Sequence, residues 1–313
     1  MLYIINLLLF VILGNVSCIS AVAEGMDSSA FKIQKKIAIT QIVKHPSLDL
    51  IAQGILKELK ENGYDEANIT QDNAQGNMTI AVQMAQKIVS QKPDLVIAIS
   101  TPSAQTMQKA LQGTRIPLVF GAVTDPLGAK LIKNLEKPEG LITGTIDLPS
   151  AEDQVALMQK MIPRLKTVGL VYNPSEMNSV FQLTQFKKAL ALKNLKFTEA
   201  TAVKTSEVQS AASSLLDKVE AIFIPNDNTV VSALQALLKV TNESKIPVFV
   251  SDPESVSAGA LAGIANHQEQ VGRETGKIAI RILKGEVAGS IAVKIVKASK
   301  AYMNEEAKKK LGL

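Results

Sequence analysis

Residues 93–105, PDLVIAISTPSAQ, put a short apolar run directly before Ser100, Thr101, Pro102 and Ser103. The run LVIAI is rich in β-branched residues, as in a strand buried on both faces. The hydroxyl residues break it, and Pro102 suits the first turn of a helix. A helix start of this kind leaves unpaired N–H groups and the positive end of a dipole facing a crevice. Such a turn binds anionic groups at the carboxyl edge of an open α/β sheet. Residues 220–229, EAIFIPNDNT, repeat the unit with Asn226, Asp227 and Asn228 in place of the hydroxyls. Two such turns at matching places in two halves predict a binding cleft.

Further polar residues follow other apolar runs. In the first half they are Gln41, Thr124, Asp125 and Asp147; in the second, Asn173, Glu176, Asn178, Ser179, Ser251, Asp252 and Asn266. Together with Ser100, Thr101, Ser103, Asn226, Asp227 and Asn228, all of these except Asp147 form the expected ligand-binding set. Taken singly, each has a local alternative. Ser103, Ser175 and Asp227 suit N-caps. Asp125-Pro126 and Asp252-Pro253 suit turns, and Glu176 suits a helix dipole. His45 before Pro46 reads as a loop residue, and His267 as a helix start. Convergence at one edge of two sheets is what argues for a site.

These residues need a scaffold, and the order of runs supplies one. Strands are expected at residues 36–41, near Ile69, and at 95–99, 116–120 and 141–146, with helices between them. The pattern restarts after Ala151, with strands at 167–172, 195–200, 221–225, 246–250 and 261–265. Alternation at this spacing means right-handed βαβ units and a parallel sheet. Two copies of one α/β domain follow, with a closing helix at 268–283 and a tail containing a short strand at 291–296. The fold class is α/β, with two doubly wound parallel-sheet (Rossmann-like) lobes joined by a multi-strand hinge. The expected boundaries are 24–148 with 267–286 for the first lobe, and 149–266 with 287–313 for the second.

Composition agrees with this frame. The 313 residues are 46% hydrophobic but only 4% aromatic, with no Trp, so Ala, Val, Ile and Leu must fill the cores. A net charge of +5 without basic patches interleaved with aromatics excludes a nucleic-acid surface. Zinc-protease, serine-hydrolase, phosphate-loop and dinucleotide motifs are all missing from the sequence. Residues 2–13 are continuously apolar and are followed by Ala21-Val22-Ala23, an export signal with cleavage expected before Glu24. Lipid attachment at Cys18, the single cysteine, is the less favoured route because Asn15 suits it poorly. Cleavage at Glu24 leaves a mature chain with no thiol.

With these residues in view, the chain resembles the substrate-binding proteins of ABC transporters, the periplasmic-binding-protein-like branch that includes tryptophan- and tyrosine-binding members. The resemblance is carried by ITQIVKHPSLD (39–49), PDLVIAISTPSAQ (93–105), PLVFGAVTDPLGA (117–129), GLVYNPSEMNS (169–179), IFIPNDNTVVSAL (222–234), IPVFVSDPESVSAGALA (246–262) and VGRETGKIAIRILKG (271–285). It implies two lobes hinged near Asp147, near Asn266 and after Gly285, closing on a small polar solute such as an amino acid. It also implies delivery to permease subunits from the periplasm, as a monomer, without cofactor, metal or nucleic acid. The chain departs from the family pattern at residues 265–268, where many members carry an acidic residue and paired tyrosines. Phe120 and Tyr172 are the aromatic candidates for the crevice. A two-lobed glycosyltransferase and the effector domain of a regulator are the alternatives; neither a nucleotide-sugar site nor a helix-turn-helix segment is found.

Overall fold

The computed structural model describes residues 34–297 and 300–313, so the expected export signal and Cys18 lie outside the described residues. In the first half, β1 (Ile37–Gln41), α1 (Pro46–Glu61), β2 (Ile69–Asn73), α2 (Met78–Ser90), β3 (Leu95–Ile99), α3 (Thr101–Ala110), β4 (Leu118–Val123) and β5 (Ile142–Ile146) follow one another. After α4 (Ala151–Met161) the second half runs β6 (Thr167–Tyr172), α5 (Met177–Leu192), β7 (Lys196–Thr201), α6 (Val208–Ser213), β8 (Ala221–Ile224), α7 (Asn228–Ser232), α8 (Leu234–Glu243), β9 (Val248–Val250), α9 (Pro253–Ser257) and β10 (Ala262–Ala265). The chain ends with α10 (Gln268–Leu283), β11 (Lys294–Ile295), β12 (Lys300–Met303) and α11 (Glu305–Leu311).

Two six-stranded sheets result, ordered β11-β5-β4-β3-β1-β2 and β12-β10-β9-β8-β6-β7. Every pairing is parallel except β10 with β12. In both sheets the order reverses beside the first strand, between β1 and β3 and between β6 and β8. Loops diverge at such a switch point and leave a crevice outside the carboxyl ends of the strands.

The central strands are buried on both faces, so they read as continuous apolar runs. Apolar side chains cover each sheet on both sides, with Ile51, Ile55 and Val271 on one face of the first sheet and Ala104, Met107 and Phe120 on the other. Helix α10 lies against α1 so closely that a Cβ on Gly272 would stand 2.1 Å from the Ile51 carbonyl oxygen. No residue larger than glycine fits there.

The chain passes between the sheets three times: near Asp147, near Asn266, and after β11. The last crossing differs from the expectation. The expected boundaries place residues 287–296 in the second lobe, yet Lys294 and Ile295 pair with Thr145 and Ile146 of β5. The chain therefore returns to the first sheet before crossing again, later than Gly285. A two-residue edge strand carries too little pattern to announce its partner.

Candidate ligand-binding cleft

The two switch points face each other across a cleft with about 450 Å³ of empty space, its open mouth included. On the first-sheet side, β3 ends at Ile99 and Ser100 turns the chain with φ of 79°, a left-handed conformation strained for any residue but glycine. Helix α3 starts at Thr101, with Pro102 in its first turn. The hydroxyls of Ser100, Thr101 and Ser103 are buried without a hydrogen-bond partner. Those of Ser100 and Thr101 line the cleft, whereas Ser103 does not. A register shift in β4 pushes out Ala122, whose N–H donates to Thr145 Oγ1 at 3.1 Å, and brings Ala122 and Thr124 to the wall. Leu48 and Ile51 of α1 add an apolar strip, and His45 and Ser47 come from the turn before it and its first residues.

The second-sheet side is built from carboxylates and amides. Asp227 Oδ1 caps α7 through Val230 N–H at 2.8 Å, and Oδ2 accepts from Asn173 N–H and Ser179 Oγ, both at 2.6 Å. Burial, reinforced by the charge of Glu176, pushes the Asp227 carboxyl up to about 7. Glu176 accepts from Asn178, Asn228 and Thr229. Asp252 Oδ1 caps α9 through Ser255 N–H at 2.8 Å and accepts, also at 2.8 Å, from Ser47 Oγ of the opposite wall. Next to it, burial and then the charge of Asp252 push the Glu254 carboxyl up to about 7, and Oε2 of Glu254 has no partner.

At the base, Asp147 sits on the first crossing and accepts from Asn266 Nδ2 at 2.7 Å and Gln268 Nε2 at 3.2 Å. Burial raises its carboxyl above the usual range despite these bonds. Burial also holds the His45 imidazole below its ordinary value, against the opposing pull of Asp252. Among the described residues, no Lys or Arg lines the cleft. Among the described residues, no group of three or more His, Cys, Asp or Glu is placed to hold a metal.

Of the expected residues, Ser100, Thr101, Thr124, Asn178, Asn226, Asp227, Asn228 and Asp252 line the cleft. The others stand elsewhere. Gln41 donates to Asp49 at 3.0 Å and faces a different depression. Asp125 accepts from Gly128 N–H at 3.0 Å, the turn-forming alternative. Asn173, Glu176 and Ser179 form a layer behind the wall, Ser251 accepts from Gln154 and Gln182, and Asn266 braces Asp147. Sequence reasoning missed His45, Ser47 and Gln268, all buried. Neither Phe120, which lies in the core, nor Tyr172 reaches the cleft.

Facing switch points around a polar cleft are the architecture of a two-lobed solute-binding protein. The chain belongs to the ABC transporter substrate binding protein family, whose pattern matches residues 36–313. It is therefore a binding protein and not an enzyme, and the glycosyltransferase alternative falls away. The tyrosine-binding protein of Clostridioides difficile is 40% identical over 285 residues, 90% of this chain and 82% of that protein. The structure of an ABC domain from Streptococcus pneumonia in complex with L-Trp is 35% identical, with a TM-score of 0.85, covering 89% of this chain and 95% of that one. A ligand-free, open structure of a substrate binding protein from Clostridium difficile is 38% identical with the same coverage, but its TM-score is 0.67.

Proposed function

We propose that the protein works outside the cytoplasm and takes up an amino acid, in its zwitterionic form, between the two lobes. It then delivers the solute to the permease subunits of an ABC importer, acting as a monomer after removal of residues 1–23. One observation carries this reading, the opposite hydrogen-bonding character of the two walls. Hydroxyls at a helix start suit a carboxylate, and carboxylates without a neutralising Lys or Arg suit an ammonium group. Kinship with proteins named for tyrosine and L-Trp supports the same class. No described helix is long and apolar enough to cross a membrane. The backbone follows the L-Trp complex more closely than the open structure at similar identity, which supports a closed arrangement.

Calorimetric titration against the twenty L-amino acids and a set of sugars, with scattering at saturation, tests the proposal. An amino acid, with L-tyrosine and L-tryptophan heading the panel, is expected to bind and reduce the radius of gyration. Binding of sugars alone, or an unchanged scattering profile at saturation, would overturn it.

A further inference from the structure

We infer that the solute's cation is held in a cage of hydrogen-bond acceptors drawn from both walls of the cleft: His45 Nδ1, Asn178 Oδ1 and the Asp252 carboxylate. Glu176, which touches no solute, fixes the direction in which that cage faces. The inference rests on reading the cleft as the solute site.

The argument starts from Glu176, which is buried. Its Oε2 accepts from Asn178 Nδ2 at 2.9 Å and from Asn228 through both N–H at 3.2 Å and Nδ2 at 2.5 Å. Its Oε1 accepts from the Thr229 N–H at 3.0 Å and hydroxyl at 2.9 Å. Glu176 accepts every one of these bonds, so both asparagines turn their NH₂ groups toward it and their oxygens away. The second hydrogen of Asn178 Nδ2 goes to the Asn226 carbonyl at 2.7 Å. Its oxygen is then left buried and unpartnered at the cleft.

Asn228 carries the same constraint to the opposite wall. Its oxygen is the free end of the amide, and Asn228 lines the cleft together with His45. A neutral imidazole has one N–H, and with that proton on Nε2 the other nitrogen is an acceptor. Nδ1 is left as a bare lone pair, buried, without a partner, and electrostatically close to Asp252. Three acceptors with no competing cation suit a primary ammonium, which has three N–H donors, and disfavour a hydroxyl, which has one. Because His45 precedes α1 while Asn178 and Asp252 belong to the second sheet's side, the cage is complete only when the walls meet. The cation therefore joins recognition to closure.

The protein has two histidines, and His267 is exposed, so ¹⁵N-histidine labelling gives a nearly self-assigning spectrum. Long-range ¹H–¹⁵N spectra should show His45 as the Nε2–H tautomer, with an unprotonated Nδ1 resonance that shifts when L-tyrosine is added to saturation. Calorimetry should show L-tyrosine binding roughly 100-fold or more tighter than its α-hydroxy analogue. In Glu176→Gln, whose amide must turn one asparagine round, that ratio should fall by about tenfold or more. An Nδ1–H tautomer in the free or bound protein, or an unchanged ratio in folded Glu176→Gln, overturns the cage. If no amino acid binds the parent protein, the reading of the cleft fails on its own. The tautomer of the free protein then still decides the state of His45.

Discussion

The turn from β3 to α3 and the turn from β8 to α7 occupy equivalent places in the two sheets, yet they are finished in opposite ways. In the first, Ser100 and Thr101 present bare hydroxyls at the start of a ten-residue helix. In the second, Asp227, Asn228 and Thr229 are tied into bonds with Asn173, Ser179 and Glu176, and the helix has only five residues. The first turn keeps donors in reserve, and the second is organised around acceptors. A repeated backbone unit can thus supply both poles of a site for a dipolar solute.

The largest expected effect removes the negative pole. Asp252→Asn keeps the shape of the α9 cap but discards the charge, leaving the solute cation unpaired in a closed cleft. Affinity for L-tyrosine should fall by about 2–5 kcal/mol in calorimetric titration. A change within about threefold, roughly 0.65 kcal/mol, would detach Asp252 from the cation. The next effect removes part of the positive pole. Thr101→Val preserves volume and branching but loses a hydroxyl donated to a carboxylate, worth about 1.5–2 kcal/mol of affinity. Unaltered affinity would place the solute's anion away from α3.

The smallest effect tests the excess of acid on the second wall through stability. Glu254 has a native value of about 7 against an ordinary 4.5, so the native carboxyl holds its proton longer than the unfolded one. Its ionisation therefore costs native stability progressively as pH rises from 4.5 to about 7, and by a constant amount above. Glu254→Gln carries no such cost. Discounted for its partial exposure, the variant's advantage should be about 1 kcal/mol more at pH 8 than at pH 4 in denaturant melts. An equal difference at both pH values would mean that Glu254 is solvated.

The scaffold was legible in the sequence because buried parallel strands announce themselves. LVIAI and AIFI are apolar throughout, and the hydroxyl and amide residues that end them mark the cleft edge. The cleft itself was legible in part. Thr101 and Asp252 reach it from just past the ends of β3 and β9, whereas Asp125, equally close to the end of β4, turns back on Gly128. His45 looks like a loop residue because nothing near it in sequence explains its burial. What buries it is a wall about two hundred residues further on, the same separation that joins Ser47 to Asp252. Gln268 was hidden for a similar reason, since its role depends on Asp147 across the hinge.

The late return of the chain to its first sheet sets an order of assembly. Strands β6 to β10 come from one uninterrupted stretch and lack only the antiparallel edge strand β12 when that stretch is complete. The first sheet waits longer, because its cover α10 and edge strand β11 lie beyond all of it. Until α10 has been made, through residue 283, Ile51 and Ile55 on α1 lack the helix they pack against. In a chain synthesised from its N-terminus, the part made first is then the part whose core closes late, and the inserted half can fold ahead of it. The N-terminal half therefore spends longest with its apolar seam in water, and aggregation during biogenesis should begin at α1.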